Sequence, residues 1–481
     1  MQRFFYRFSI LFLLIALGSP VLNAQDNRLQ VYPAPQGALL NDSFQIQVRK
    51  PGGQWLGIPS YLIQVAKSEN FRRAAENASM AFFDFEGTVE VKIRSTKEPV
   101  SSVKIRPLSY NIEPETTNDE IRFTLNDPRN LSVEINNNIF NNLHLFANPM
   151  QTSIPDKSDK NVIYFGPGIH DFKGGEFAVP SGKTVYVDGS AILRGKLLIH
   201  DVKDVKIMGR GMVEYTVEGG IHIENSKNVL IEGLFTTQCA TGGSQDVTIR
   251  NVKSISYYQW GDGMNVFASS NVLFDRVFCR NSDDCTTVYA TRLGHEGSAR
   301  NITMQNSTLW ADVAHPIFLG IHGNAENPDT IENVTYKNID ILDHKESQLN
   351  YQGAMAINAG DNNIIRNIRF EDIRVEDFRE GQLLNLRIFY NPKYCAAPGQ
   401  VIEDIYFKNI QYTGENAELS IISGYNSERM VRNVTFENLS INGKLIYDNM
   451  PEKPGYYLTS DMARIYIGEF AENVKFLKTA N

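Results

Sequence analysis

From Asn161 onward one short phrase of alternating apolar and polar residues keeps returning. It reads NVLIEGL from Asn228, DVTIRNV from Asp246, NVLFDRV from Asn271, NITMQNS from Asn301, NVTYKNI from Asn333, NIRFEDI from Asn367, DIYFKNI from Asp404 and NVTFENL from Asn433. A period of two predicts a strand with one buried face. The spacings, 18, 25, 30, 32, 34, 37 and 29 residues, are irregular, so equivalent strands are joined by loops of varying length. Such a unit cannot bury its apolar face alone and has to stack on its copies. No recurrent leucine framework is present, and no constant blade period of ~40 residues or more. A right-handed parallel β-helix over about residues 161–475 remains, its coils ~4.8 Å apart. The phrase also creates Asn-x-Ser/Thr sequons at Asn301, Asn333, Asn433 and Asn438. These are read as coil corners, where Asn turns the chain and Thr fills the strand.

Residues 25 to about 155 carry a different pattern: FQIQV, YLIQVA, MAFFDF, TVEVKIR, EIRFTL and LSVEI, separated by Asn, Gly, Pro and charged clusters. Short strands at short intervals predict an N-terminal β-sandwich. NPMQTSIPDKSDK, from Asn148 to Lys160, has linker composition. Ahead of all this, Arg3 and Arg7, the apolar run SILFLLIALG and the small-residue exit Leu22-Asn23-Ala24 match a secretory signal peptide over residues 1–24. The expected order is signal peptide 1–24, sandwich 25–155 and β-helix catalytic domain 156–481, in a secreted or periplasmic protein.

Charge narrows the partners. Setting residues 1–24 aside leaves 45 basic against 55 acidic residues, a net charge of −10, which argues against nucleic acid and anionic membrane surfaces. No later apolar run is long enough to span a bilayer. Four cysteines, Cys239, Cys279, Cys285 and Cys395, are too few for a disulfide scaffold in so long a chain and read as buried thiols.

Chemistry concentrates in GDGMNVFASSNVLFDRVFCRNSDDCTTV, Gly261 to Val288, which sets Asp262 21 and 22 residues before the adjacent Asp283 and Asp284. If that interval is one coil, Asp262 lies beneath Asp283 or Asp284. Stacked carboxylates raise one another's pKa and favour one protonated member. Strand alternation would send Asp283 and Asp284 to opposite faces, so both reach one cleft only at a strand end or bulge. A protonated acid beside ionised ones is the requirement of glycoside hydrolysis. The same oxygen ligands would also suit calcium.

NSDDC, with an Asp 21 residues upstream, resembles the catalytic segment of the polygalacturonase family, glycoside hydrolase family 28, whose motifs read N-T-D, D-D, G-H and R-I-K. The linked dextranase family, glycoside hydrolase family 49, is similar in its β-helix, its three aspartates and its N-terminal sandwich. YFGPGIHDF and VPSGKTVYVDGSAILRG, Tyr164 to Gly195, also resemble the start of such helices. The resemblance implies a polysaccharide or oligosaccharide substrate with α-linkages, an inverting mechanism and no metal or cofactor. It makes Asp283 the general acid, Asp262 and Asp284 the pair that activates water, and His315 the G-H histidine, with His295 and His322 as competitors. WGDG stands in place of N-T-D, Ala314 in place of the glycine before the histidine, and R-I-K is absent.

In that family the R-I-K cations meet the uronate carboxylate, so their absence points to a neutral or differently charged glycan rather than plain polygalacturonate. Arg387 and Arg292 are the candidate substitutes. Trp260, Tyr289, Arg292 and His322 are the expected substrate-binding residues, with Tyr257, Tyr258 and Trp310 as further stacking candidates. Loops around 291–300, 340–363 and 388–400 are expected to close one end of the cleft, which favours terminal attack. A calcium-dependent β-helix lyase and a non-catalytic glycan-binding β-helix are the competing readings.

Overall fold

A computed structural model describes residues 27–69, 72–213 and 219–479. The signal peptide expected over residues 1–24 lies outside the described residues. Two sheets form the N-terminal sandwich. One runs in the order Arg28–Val31, Arg72–Glu86, Leu143–Pro149, Arg129–Ile135, Val103–Arg106, with Tyr61–Glu69 also paired to Arg72–Glu86; the other orders Leu56–Ile58, Phe44–Arg49, Val89–Ser95, Glu120–Leu125, Glu115–Thr117. Alternate residues such as Ile46, Val91, Ile121, Phe83 and Leu131 meet in a dry core between them. Pairing of Leu143–Pro149 extends two residues into the expected linker, because Asn148 is buried and receives the Lys253 Nζ donor.

From Val162–Phe165 to Ala471–Leu477, 29 strands stack into one continuous sheet, almost all of it parallel: a β-helix. The phrase intervals are its pairing register. Val229 pairs with Val247, Val247 with Val272, Val272 with Ile302, Ile302 with Val334, Val334 with Ile368, Ile368 with Ile405 and Ile405 with Val434. Each phrase-opening Asn or Asp is left-handed, from φ 53° at Asn367 to 60° at Asp246, a region that Asn and Asp tolerate. Their side chains form a ladder up the corner: Asn271 donates to Asp246 at 2.8 Å, Asn301 to Asn271 at 3.0 Å and Asn333 to Asn301 at 3.0 Å. Inside, Tyr336, Phe370, Phe407, Phe436 and Phe476 stack with ring centres 4.7–5.6 Å apart, the rise of the coils. All four cysteines are buried free thiols.

The sandwich lies against the side of the helix. Tyr61, Ile63, Phe82 and Phe146 pack on Ile192, Met212, Phe235 and Phe278. Buried charged ties cross the same interface: Arg210 Nε to Asp84 at 2.9 Å, Arg106 Nε to Glu376 at 2.6 Å, and Arg280, itself held within the helix by Asp312 at 2.9 Å, to Asn142 at 3.0 Å. Trp310, a stacking candidate from sequence, belongs here. It is fully buried under the Arg280 and Arg106 guanidinium groups, 4.0 and 5.0 Å from its ring centre, because its strand faces the sandwich. Among the described residues no helix is long and apolar enough to cross a membrane.

Candidate active site

Asp262, Asp284 and His315 occupy one position on three successive coils. Each stands two residues ahead of a strand, Met264–Phe267, Thr286–Tyr289 and Ile317–Gly320. Met264 pairs with Thr286 and Thr287 with Phe318, while Gly263 N–H donates to Asp284 O at 2.9 Å and Cys285 N–H to His315 O at 2.8 Å. Asp284, not Asp283, therefore lies over Asp262. Asp283 sits one residue earlier in the bend between Phe278–Asn281 and Thr286–Tyr289. Outside the strand, alternation does not apply, and both aspartates line the same cleft.

Local chemistry holds the two turns together. Asn281 Nδ2 donates to Ser254 Oγ and Ser256 Oγ, both at 3.0 Å, and to Gly261 O at 3.2 Å. Ser282 Oγ donates to Tyr258 O at 2.5 Å. The glycines of WGDG follow from this closeness: a Cβ on Gly263 would collide with Cys285 O and Asn281 Oδ1, and one on Gly261 with the hydroxyls of Ser282 and Ser256.

Electrostatics divide the cluster. Asp284 Oδ1 accepts from the His315 backbone N–H at 3.1 Å and from its Nδ1 at 2.7 Å, and His315 Nε2 points at Tyr351 O at 2.5 Å. A carbonyl oxygen only accepts, so Nε2 carries a proton; with Nδ1 facing a carboxylate, the ring is an imidazolium. Burial opposes that charge, but Asp284 and its hydrogen bond hold the imidazole's pKa above its ordinary value. Burial, then the charges of Asp283 and Asp284, push Asp262 well above the carboxylate range, although Asn265 Nδ2 donates to it at 2.9 Å. Burial and Asp284 raise Asp283 to about 6, against the downward pull of Arg73. Asp283 still keeps 19% of its side chain exposed, open to the cleft.

A cleft of about 1400 Å³ surrounds these groups. It brings together all three aspartates with Trp260, Tyr289, Arg292 and His322, and also Tyr257 and Tyr258. Trp260 is 73% exposed, a free ring face at the rim. Tyr289 is instead buried, its hydroxyl directed at Asp284 Oδ2 at 3.4 Å, and His322 packs edge-on against it. His315 is buried behind Asp284, away from solvent. Arg387 is not among the cleft-lining residues and lies over Phe389, donating to Asn350 O at 3.3 Å. The loops at 291–300, 340–363 and 388–400 contribute Leu293, Glu346, Tyr351 and Lys393 to the walls.

Two groups had no sequence signal. Arg73 reaches in from the sandwich, its Nη2 donating to Asp283 Oδ2 at 2.8 Å, and Lys345 lines the cleft with its Nζ on Ser68 O. Arg73 lies in the sandwich, outside the repeat, whereas Lys345 bridges to Ala314 one coil beyond the aspartates, a register that the irregular coil lengths hid in the sequence. Asn281, by contrast, is the first letter of NSDDC, and its strand-end position could have marked it as a staple.

Fold and site together define a class: parallel β-helix proteins with a cleft of clustered carboxylates on the flank of the coils. The chain belongs to the glycosyl hydrolases family 28, whose model matches residues 110–453. It is 24% identical over 225 residues to the Neosartorya fischeri protein described as endopolygalacturonase D, covering 46% of this chain and 43% of that one. It is 20% identical over 207 residues to the Aspergillus niger protein described as galacturan 1,4-alpha-galacturonidase A, covering 37% and 45%. These matches thus span less than half the length of either relative. Dex49A from Penicillium minioluteum shares the fold, with a TM-score of 0.62 over 93% of this chain and 96% of its own at 12% identity.

Proposed function

We propose that the protein hydrolyses an α-linked, carboxylate-bearing glycan with inversion. Asp283 is the general acid, Asp262 and Asp284 hold the attacking water, and His315 is a positioning residue. The observation that carries this is the stacking of Asp262 under Asp284 with Asp283 turned into the same cleft. One acid with a raised proton affinity and an exposed edge can protonate a leaving oxygen, while a carboxyl group fixed by the backbone N–H and ring Nδ1 of His315 is positioned to orient water.

The expectation of a neutral or differently charged glycan rested on the missing R-I-K cations, with nothing in the sequence to place Arg387 or Arg292 in the cleft. Arg73, Arg292, Lys345 and Lys393 line the cleft, which supports the charged alternative, an acidic sugar. With R-I-K absent, unsubstituted polygalacturonate is still expected to be a poorer substrate than a polymer in which uronate alternates with neutral sugar. Export follows from the Arg3 and Arg7 n-region and its apolar run; the exported protein's first residue should be Gln25.

The test is Asp283→Asn. Turnover of the natural linkage should fall by about 100-fold or more, with partial recovery on a nitrophenyl glycoside whose departure needs little proton help, and with no recovery for Asp262→Asn or Asp284→Asn. Proton NMR of the first-formed sugar should show the anomer opposite to the substrate's. A retained anomer would sink the inverting assignment, and an unsaturated product absorbing in the ultraviolet would replace hydrolysis by lyase chemistry.

A further inference from the structure

Arg73 belongs to the sandwich but touches the acid proposed to start the reaction. It lies at the tip of the hairpin formed by Tyr61–Glu69 and Arg72–Glu86. Lys345, from the helix, ties that hairpin over the cleft through its bond to Ser68 O. The Arg73–Asp283 contact uses one guanidinium nitrogen on one carboxylate oxygen, and among the described residues Arg73 pairs with no other acid. Its side chain keeps 24% of its surface exposed along the cleft wall. A guanidinium carries five N–H donors in a planar fork suited to carboxylates, and only the Nη2 bond to Asp283 is made among the described residues.

This contact conflicts with the role of the acid. A proton donor must hold its proton when the glycosidic bond breaks, whereas an arginine on the carboxylate favours the ionised form. A neutral substrate leaves the conflict in place. A substrate bearing a carboxylate beside Asp283 resolves it, because the guanidinium then has a second anion to satisfy.

We propose that Arg73, supplied by the N-terminal sandwich, is the specificity-determining residue for a uronate next to the scissile bond, and that its transfer from Asp283 to that carboxylate arms the general acid. Asp283 takes up its proton from solvent acid and passes it to the leaving oxygen as the glycosidic bond breaks; the attacking water bonds to the anomeric carbon and gives its proton to the Asp262 and Asp284 pair, which returns it to solvent, and Arg73 remains a guanidinium throughout. This inference rests on Asp283 being the acid. Asp284 and Asp262 are the acidic groups that face Asp283 and Arg73 and His315 the basic ones, and the Tyr289 and Tyr351 hydroxyls are close enough to feel its charge. Glu346 and Lys345 line the same wall. Of the two cations, Arg73 is the one with an exposed edge free to move, since His315 is fully buried.

The probe is the best-cleaved oligosaccharide from a polysaccharide panel, together with the same oligosaccharide after chemical reduction of its carboxylates to alcohols. Wild type should favour the acid form by at least about 100-fold, with part of the loss in kcat and not only in KM. Arg73→Gln should cut that preference to below about tenfold and move the basic limb of the pH profile on the reduced probe upward by about one pH unit. Arg73→Lys should restore part of the preference, which a merely structural arginine would not require. Equal losses on both probes with an unmoved basic limb would overturn the proposal, as would a best substrate that carries no carboxylate. If Asp283→Asn keeps full turnover, the acid assignment fails instead, and the two failures are distinguishable.

Discussion

Asp284 Oδ1 accepts both the backbone N–H and the ring Nδ1 of His315, at 3.1 and 2.7 Å, while the other ring nitrogen is used by Tyr351 O. The imidazolium is thus spent entirely on buried acceptors. It orients and neutralises Asp284 without reaching the cleft.

His315→Gln should therefore lower kcat by about 10- to 100-fold with little change in KM, since it removes a group that acts through Asp284. The pH dependence of stability has a definite sign. A histidine whose folded pKa is raised contributes fully below its ordinary value of about 6.5, and the contribution fades as pH rises through the folded value. Melting curves of wild type and variant should differ most in mildly acidic buffer and converge on the alkaline side. A gap that widens with pH would contradict the imidazolium assignment.

Asp262→Asn should abolish turnover yet stabilise the fold at neutral pH. Burial and two neighbouring carboxylates raise its proton affinity, so folding costs about 1.4 kcal/mol per pH unit between the unfolded and folded pKa values. That cost vanishes below the unfolded value of about 3.9. A rise in Tm at pH 7 that disappears near pH 4 is the expected result; an unchanged or lower Tm at pH 7 would count against a strained acid cluster.

Gly263→Ala introduces a methyl where the next coil's Cys285 carbonyl and Asn281 amide already sit. A loss of about 1–3 kcal/mol is expected from overpacking, with activity down about 100-fold because Asp262 is pushed out of line with Asp284. Gly455→Ala, with open space around it, is the control and should leave Tm and turnover unaltered.

Arg210→Met tests how the two domains are joined. Asp84 would keep Tyr32 as a donor but lose its buried guanidinium, at a cost of about 3–5 kcal/mol. Burial raises the proton affinity of Asp84, so in the variant the penalty should shrink as pH falls and the carboxyl takes up a proton. Differential scanning calorimetry at pH 5 and pH 8 reads this directly; an equal loss at both would show that packing, not charge, is at stake.

The repeated phrase and the Asp262–Asp284 interval were legible along the chain because both are lattice properties. A coil pairs with the next through a fixed backbone register, so identical positions recur at the coil length, and an Asn at each corner satisfies a left-handed turn that few other residues accept. Periodicity two then separates core from surface, which is why the β-helix and the sandwich were both readable. Which of two adjacent aspartates stands over Asp262 was not readable, since it turns on a bend that ends strand alternation at Ser282. Trp310 is absent from the cleft and Arg73 present in it for a related reason. The sandwich covers one flank of the helix, burying the tryptophan that lies near the acids in sequence, and extends a hairpin to the cleft from about two hundred residues away. No local pattern encodes such a contact, because docking of two separately patterned surfaces is set by their shapes and buried charges in three dimensions.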